Sequence, residues 1–366
     1  MKSNHMIGAT PSHNKDFAFS ETNLDLMRRA KISIVRMPVH FPFADESMAV
    51  LTEKYQNAVA DIRKLQTLGI ESFASFECAG SNRYNPATGR TEYIRATPLW
   101  VGEYDRDLFY ERIELAAEFV GRELKDVVRW WQIANEPDID TFIGDFTHEQ
   151  NARYLNAIAK GLKKGNPDAQ CGINLAGVGT MGGGDGTLGI HPYAQELIGQ
   201  LYTADGYFDY IGLDGYFGSW SGGVPADWIP YIDEAARVSG KPVVINEWGY
   251  STIQRGKPRP EEDKKRHFNS VVCREKAWDA GGGAKWQGID HNEALQSDYN
   301  RECVKIFAEH PAVIGNMYFQ WQDQPTCWQC GEPDCPAECG WGCIRTDGTP
   351  KPGYYALVEA NETYFD

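Results

Sequence analysis

The chain has 366 residues, with 36 basic and 51 acidic side chains and a formal charge of −15. That balance disfavours nucleic acid and anionic membranes as partners. No window approaches the ~18 uninterrupted apolar residues of a membrane-spanning helix, and Met1–Met6 lacks the apolar segment of an export signal. Residues 1–5 read as a disordered or tag-like start. The expected location is cytoplasmic for the chain as it stands, or secreted or periplasmic if a signal has been removed. The oligomeric state is not readable.

Strand-like apolar runs occur at Met6–Thr10, Ile32–Val39, Ile70–Cys78, Val127–Asn135, Gln170–Ala176, Phe208–Tyr216, Pro242–Glu247 and Val313–Trp321. Amphipathic stretches alternate with them: Ser20–Ala30, Ser47–Leu68, Asp105–Leu124, Thr147–Lys164, Pro192–Tyr202, Ala226–Ser239 and Tyr299–Glu309, with Tyr354–Ala360 as a final helix. Ser20 to Asn23 and Thr147 to Gln150 have the composition of helix starts. Strand–helix alternation repeated eight times predicts an α/β fold, a (β/α)8 TIM barrel, as one catalytic domain over residues 6–366. An open doubly wound sheet would favour a glycine-rich phosphate turn after an early strand. Gly182 to Gly184 follows the fifth strand, lacks that spacing, and reads as a surface loop. Long loops follow strands 3, 7 and 8, at Ser81–Tyr104, Ser251 to about Asp298, and Thr326–Thr346. In a barrel those loops build the active face.

Two strand-like runs end in a glutamate preceded by asparagine: Asn135-Glu136-Pro137 on the fourth and Asn246-Glu247-Trp248 on the seventh. A solvated surface charge is the ordinary reading of a glutamate. A charge directly after an apolar run is costly without partners, so that reading fits poorly here. Cleavage of a glycosidic bond needs one carboxylic acid to protonate the leaving oxygen and one carboxylate to attack carbon or activate water.

On these residues the chain resembles clan A of the glycoside hydrolases, with parts of the pattern shared by families 5, 39 and 42. The resemblance implies a retaining enzyme in which Glu136 is the general acid/base and Glu247 the nucleophile. It implies that Arg36 keeps the nucleophile ionised, Asn135 bonds the sugar 2-hydroxyl, and Tyr216 bonds the nucleophile. It also implies that Trp321 floors the cleavage subsite. Many members carry histidine two residues before that tyrosine; this chain carries Asp214. Asp347-Gly348-Thr349-Pro350-Lys351-Pro352-Gly353-Tyr354 is similar to the segment that opens the last helix in several such families. The implied activity is hydrolysis of β-linked oligo- or polysaccharides by double displacement, with no cofactor for catalysis. A non-catalytic carbohydrate-binding barrel is the alternative. A metal-dependent barrel enzyme would need His and Asp ligands at strand ends, where only Asp214 and Glu77 offer themselves.

Sugar rings stack on aromatics. Trp100, Trp220, Trp248, Trp286, Trp321, Trp328 and Trp341 fall just after strands or in the long loops, so some are expected to line a cleft, Trp248 among the substrate-binding residues. Arg83, Arg90 and Arg95 are the basic cluster near that face, suited to an acidic sugar or simply solvated. Five of nine cysteines crowd into Cys327–Cys343. Their spacing suits a structural zinc held by Cys327, Cys330, Cys335 and Cys339, with Cys343 packing and His291 a remote candidate. Two disulfides and one thiol is the competing reading.

Overall fold

A computed structural model describes residues 5–77, 79–85, 90–176, 190–219, 222–254, 285–327 and 333–365. Residues 1–4 of the start expected to be disordered, and the Gly182 to Gly184 loop, lie outside them; His5, the last residue of that start, is described, its ring stacked on Phe365. In chain order the strands are β1 (Met6–Ala9), β2 (Ile34–Val39), β3 (Glu71–Phe76), β4 (Gly80–Asn85), β5 (Arg90–Arg95), β6 (Trp130–Ile133), β7 (Gln170–Gly172), β8 (Asn174–Leu175), β9 (Ile211–Gly215), β10 (Val243–Trp248) and β11 (Val313–Tyr318). Nine are parallel, in the order β7-β6-β3-β2-β1-β11-β10-β9-β8. The two ends of that order are pieces of one strand. Gly172 pairs with Gln132 on β6, Asn174 pairs with Gly212 on β9, and the carbonyl of intervening Ile173 accepts from Gly212 N at 2.7 Å. The sheet therefore closes as an eight-position barrel.

The helices are α1 (Lys15–Ala18), α2 (Glu21–Arg29), α3 (Glu53–Thr67), α4 (Asp107–Leu124), α5 (Asp140–Ile143), α6 (His148–Gly165), α7 (Pro192–Leu201), α8 (Trp228–Ser239), α9 (Glu293–Glu309) and α10 (Pro352–Phe365). Ser20 caps α2 by accepting from Asn23 N at 3.2 Å, and Thr147 with Gln150 forms a full capping box on α6. α3 starts at Glu53 rather than Ser47, because Thr52 is the cap and Asp45 to Ser47 turn on a local side-chain bond. Among the described residues no helix is long and apolar enough to cross a membrane.

The large core lies between the strands and the helices. A smaller cluster of Ile34, Phe73, Tyr210, Val244 and Met317 comes from the strands and their ends and fills the barrel interior. Above this plug the inward positions turn polar. Gln132 of β6 meets Asn246 of β10 across the interior at 2.8 Å.

The loop after the third strand is partly ordered as an antiparallel hairpin, β4–β5. It docks through Tyr93, whose ring occupies the space that a side chain at Gly144 would need. The chain between β11 and α10 folds back over the barrel mouth. Cys327, Cys335, Ala337, Cys339 and Trp341 pack there against Tyr216, with Ile253 and Phe319 at the margin. Buried Lys351 ties this segment down through Asp323 at 2.7 Å.

Candidate active site

β6 ends by leaving strand geometry. Ala134 has φ 63° and Glu136 has φ 42°, left-handed values that side-chain-bearing residues avoid. This backbone lifts Asn135 and Glu136 to the barrel mouth, where both stay partly exposed. The Glu136 backbone N–H donates to Asn174 Oδ1 at 3.0 Å. Asn174 Nδ2 donates in turn to Asp214 Oδ2 at 2.6 Å and to Asn135 Oδ1 at 3.2 Å.

β10 delivers Glu247 differently. Its pairing with β9 shifts register between Ile245 and Glu247. A bulge re-aims the side chains that follow it. Asn246 still points into the barrel toward Gln132, and Glu247 also turns to the mouth. There Arg36, from β2, donates to Glu247 Oε1 and to Asn135 Oδ1. Tyr216 Oη donates to Glu247 Oε2 at 2.5 Å. Glu247 thus has an ion pair on one oxygen and a phenol on the other.

The electrostatics separate the two glutamates. Burial pushes the Glu136 carboxyl well above the ordinary carboxylate range, and the charges of Glu247 and Asp138 add to the rise. Asp214 is fully buried and is pushed up by burial, then by Glu247 and Glu136. Glu136, pushed toward its protonated form, thus stands beside Glu247, which an arginine and a phenol hold.

The structure brings together Arg36, Asn135, Glu136, Tyr216 and Glu247. It does not bring the tryptophans. Trp248 is fully buried, its Nε1 donating to Asn316 Oδ1 at 3.0 Å and its ring edge-on to Phe307 and Tyr318. After the bulge its side chain faces the helix layer. Trp321 is also fully buried, bonded to Asn23 Oδ1 at 2.6 Å and packed on Tyr354 of α10. Neither offers a face to a sugar; both are core. Trp286 and Trp341 are buried as well, Trp100 is partly buried against Phe41, and Trp220 and Trp328 lie outside the described residues. The partly exposed aromatic at the end of the eighth strand is Phe319, against Tyr216 and Trp341.

Arg95 is not poised for an acidic sugar. Its guanidinium stacks over Tyr104 at 4.6 Å and bonds Thr97 Oγ1 at 2.9 Å. The side chains of Arg83 and Arg90 lie outside the described residues. Glu77 is committed to His40 Nδ1 at 2.8 Å and to Phe41 N–H at 2.7 Å. His291 bonds the Ser251 carbonyl and stacks near Tyr250. Among the described residues no group of three or more His, Cys, Asp or Glu side chains could hold a metal ion. Cys327, Cys335 and Cys339 therefore do not by themselves form the ligand set expected from their spacing, and Cys330 lies outside the described residues.

Sequence reasoning missed Asn174 and Asp138. Asn174 is a polar residue inside the apolar run Cys171–Ala176, a visible signal. Asp138 is buried, takes the Ala176 N–H at 3.0 Å and pairs with His191 Nε2 at 2.9 Å. It follows Glu136 by two residues and was legible only as a neighbour in sequence.

No protein-family model matches the chain, and no curated protein does. Solved structures do. A family 39 glycoside hydrolase from the gut symbiont Bacteroides cellulosilyticus WH2 matches with TM-score 0.60 at 16% identity, over 100% of this chain and 65% of that one. The chain thus spans about two thirds of that neighbour's length. Native xylanase 10B from Thermotoga maritima matches with TM-score 0.64 at 15% identity, over 100% of this chain and 97% of that one. The GH53 catalytic domain of Ignisphaera aggregans matches with TM-score 0.60 at 16% identity, over 98% and 96%. At such identities the likeness is one of fold, and the fold is that of the clan A glycoside hydrolase barrels.

Proposed function

We propose that the chain is a retaining β-glycoside hydrolase, in which Glu247 attacks the anomeric carbon while Glu136 protonates the leaving oxygen. Glu136 then takes a proton from the water that releases the sugar from the glycosyl-enzyme. The observation that carries this reading is the difference between the two carboxyls. Glu247 is held by Arg36 and Tyr216, and Glu136 is pushed toward its protonated form. In this reading Asn135, held by Arg36 and Asn174, bonds the sugar hydroxyl next to the reacting carbon. These steps call on no metal. The substrate proposed is a β-linked oligo- or polysaccharide. A non-catalytic sugar-binding barrel would have no use for two carboxyls in such different surroundings, one held by Arg36 and Tyr216 and the other without either partner.

A screen of aryl β-glycosides tests the reading. Turnover should vanish in Glu247→Gly and return with azide as a glycosyl azide of inverted, α configuration, because the anion fills the space the carboxylate leaves. Azide with Glu136→Ala should give the retained product instead. Reversal of the two outcomes would exchange the roles, and no turnover on any aryl β-glycoside by the intact protein would favour the binding barrel. A structural zinc in the cysteine segment is a separate proposal that requires Cys330 to complete the set. Close to one zinc per chain in protein purified without added metal supports it; no zinc removes it.

A further inference from the structure

The residue that departs from the clan pattern is Asp214. Its strand, Ile211–Gly215, is buried along its whole length, and Asp214 and Tyr216 are two residues apart. A carboxyl with no exposed surface is costly unless each oxygen finds a donor. One does: Oδ2 accepts from Asn174 Nδ2 at 2.6 Å. Oδ1 has no donor at all. The neighbouring acid is Glu136, whose carboxyl is hydrogen-bonded to Asp214, a contact that favours ionised Glu136 when the proton sits on Asp214. Arg36 does not supply a proton here, since its guanidinium is spent on Glu247 and Asn135. Two carboxylates facing each other with no donor between them repel. One proton between them turns the contact into an O–H···O bond. Asn174 fixes the arrangement, because its Oδ1 holds the Glu136 backbone and its Nδ2 holds Asp214.

We propose that Asp214 and Glu136 hold one proton in common, and that Asp214 is the positioning residue through which the acid/base is kept loaded. The inference rests on the reading of Glu136 as acid/base and Glu247 as nucleophile. The groups facing the pair are Arg36 from β2, Asp138 beyond β6, Tyr216 just after β9, Tyr231 on α8 and Glu247 on β10; the charges of Glu247 and Asp138 favour retention of the proton and that of Arg36 opposes it.

The arrangement has a consequence for the reaction. Before attack, Glu247 carries one negative charge and the Glu136–Asp214 pair carries one. In the first step the bond from Glu247 to the anomeric carbon forms and the bond to the leaving oxygen breaks. The shared proton passes through Glu136 to that oxygen. Glu247 is now a neutral ester and the pair carries two negative charges. In the second step water bonds to the anomeric carbon, the ester bond breaks, and the water proton returns to Glu136. The total charge of the three carboxyls is the same throughout. Only its position changes, between the nucleophile and the pair, so the buried site never accumulates a third negative charge. The ionised pair that follows the first step is also the base that the second step requires.

Asp214→Asn tests this. The amide is isosteric, can still accept from Asn174, and turns a donor toward Glu136. Ionised Glu136 is then favoured and the shared proton is lost. The alkaline limb of kcat/KM should move to lower pH by roughly one unit or more. The loss of kcat should be large for alkyl and 4-nitrophenyl leaving groups and small for 2,4-dinitrophenyl. A folded Asp214→Asn protein with an unmoved alkaline limb would overturn the proposal. A second measurement needs neither substrate nor that variant. Carboxyl-carbon NMR of the intact protein should show Glu136 and Asp214 titrating as one unit in two separated steps. In Glu136→Gln, Asp214 should titrate in a single step at lower pH. Independent titration of the two carboxyls overturns the shared proton while leaving the glycosidase reading intact. Coupled titration in a protein that cleaves no aryl β-glycoside would keep the proton pair and remove the glycosidase reading.

Discussion

Replacing Glu136 by Gln gives the sharpest test of how the site divides its two carboxyl roles. The side chain keeps its shape and can still bond Asp214, but it has no proton to give and none to lose. Wild-type Glu136 is raised above the ordinary range by burial, Glu247 and Asp138. A carboxyl whose folded-state value exceeds its unfolded value stabilises the protein least when it is forced to ionise. The wild type therefore loses stability as pH rises from the ordinary carboxylate range through the raised value, and Glu136→Gln lacks that contribution. Each unit of elevation corresponds to about 1.4 kcal/mol. For a chain of 366 residues at ~2.1 cal/mol/K per residue, that is about 2 °C in Tm per unit. Thermal melts from about pH 5 to about pH 8 should show the variant gaining on the wild type as pH rises, the gain scaling as this conversion. In the same variant, glycosylation by 2,4-dinitrophenyl glycosides should persist, while substrates with poor leaving groups lose roughly 10²–10⁴-fold in kcat/KM. A Tm difference independent of pH, or equal losses on both leaving groups, would refute the assignment of Glu136 as the acid.

Arg36→Met leaves Glu247 buried beside Glu136 and Asp214 without its cation. Breaking such a pair costs about 3–5 kcal/mol, or roughly 4–6 °C in Tm on the same scale, and differential scanning calorimetry should find it. Trp321→Ala should cost about 3–5 kcal/mol with KM for a soluble aryl glycoside little changed, because the ring is core. Phe319→Ala should raise KM at a smaller cost in stability. A changed KM with an unchanged Tm in Trp321→Ala would return that ring to the cleft.

All eight barrel positions were legible, because each is an apolar run bounded by turn residues and the strands of a parallel sheet are buried on both faces. The glutamates were legible for the same reason: a charge at the end of such a run stands out. The error at Trp248 has a specific cause. A tryptophan just after a strand reads as part of the barrel mouth, but the register shift after Ile245 turns Glu247 to the mouth and sends Trp248 to the helices. One irregular residue reverses every later assignment, and nothing in Val243–Trp248 announces it. Trp321 misleads because the chain has left β11 by then and the ring turns to Asn23 of α2 and Tyr354 of α10, in the helix layer. The hairpin Gly80–Arg95 reads as a loop because its strands lack an apolar alternation; its docking depends on Tyr93 finding the space above Gly144. Asp214 stands out in the sequence as a departure from the clan pattern, but its pairing with Glu136 depends on Asn174, a residue distant from both in sequence.

The most direct measurement is the anomeric configuration of the first sugar released, followed by proton NMR before mutarotation on an aryl β-glycoside that the protein cleaves. A nucleophile and acid/base about 5–5.5 Å apart predict the β-anomer. First release of the α-anomer would mean attack by water across a wider gap of about 6.5–9.5 Å, and would contradict the role of Glu247 as nucleophile.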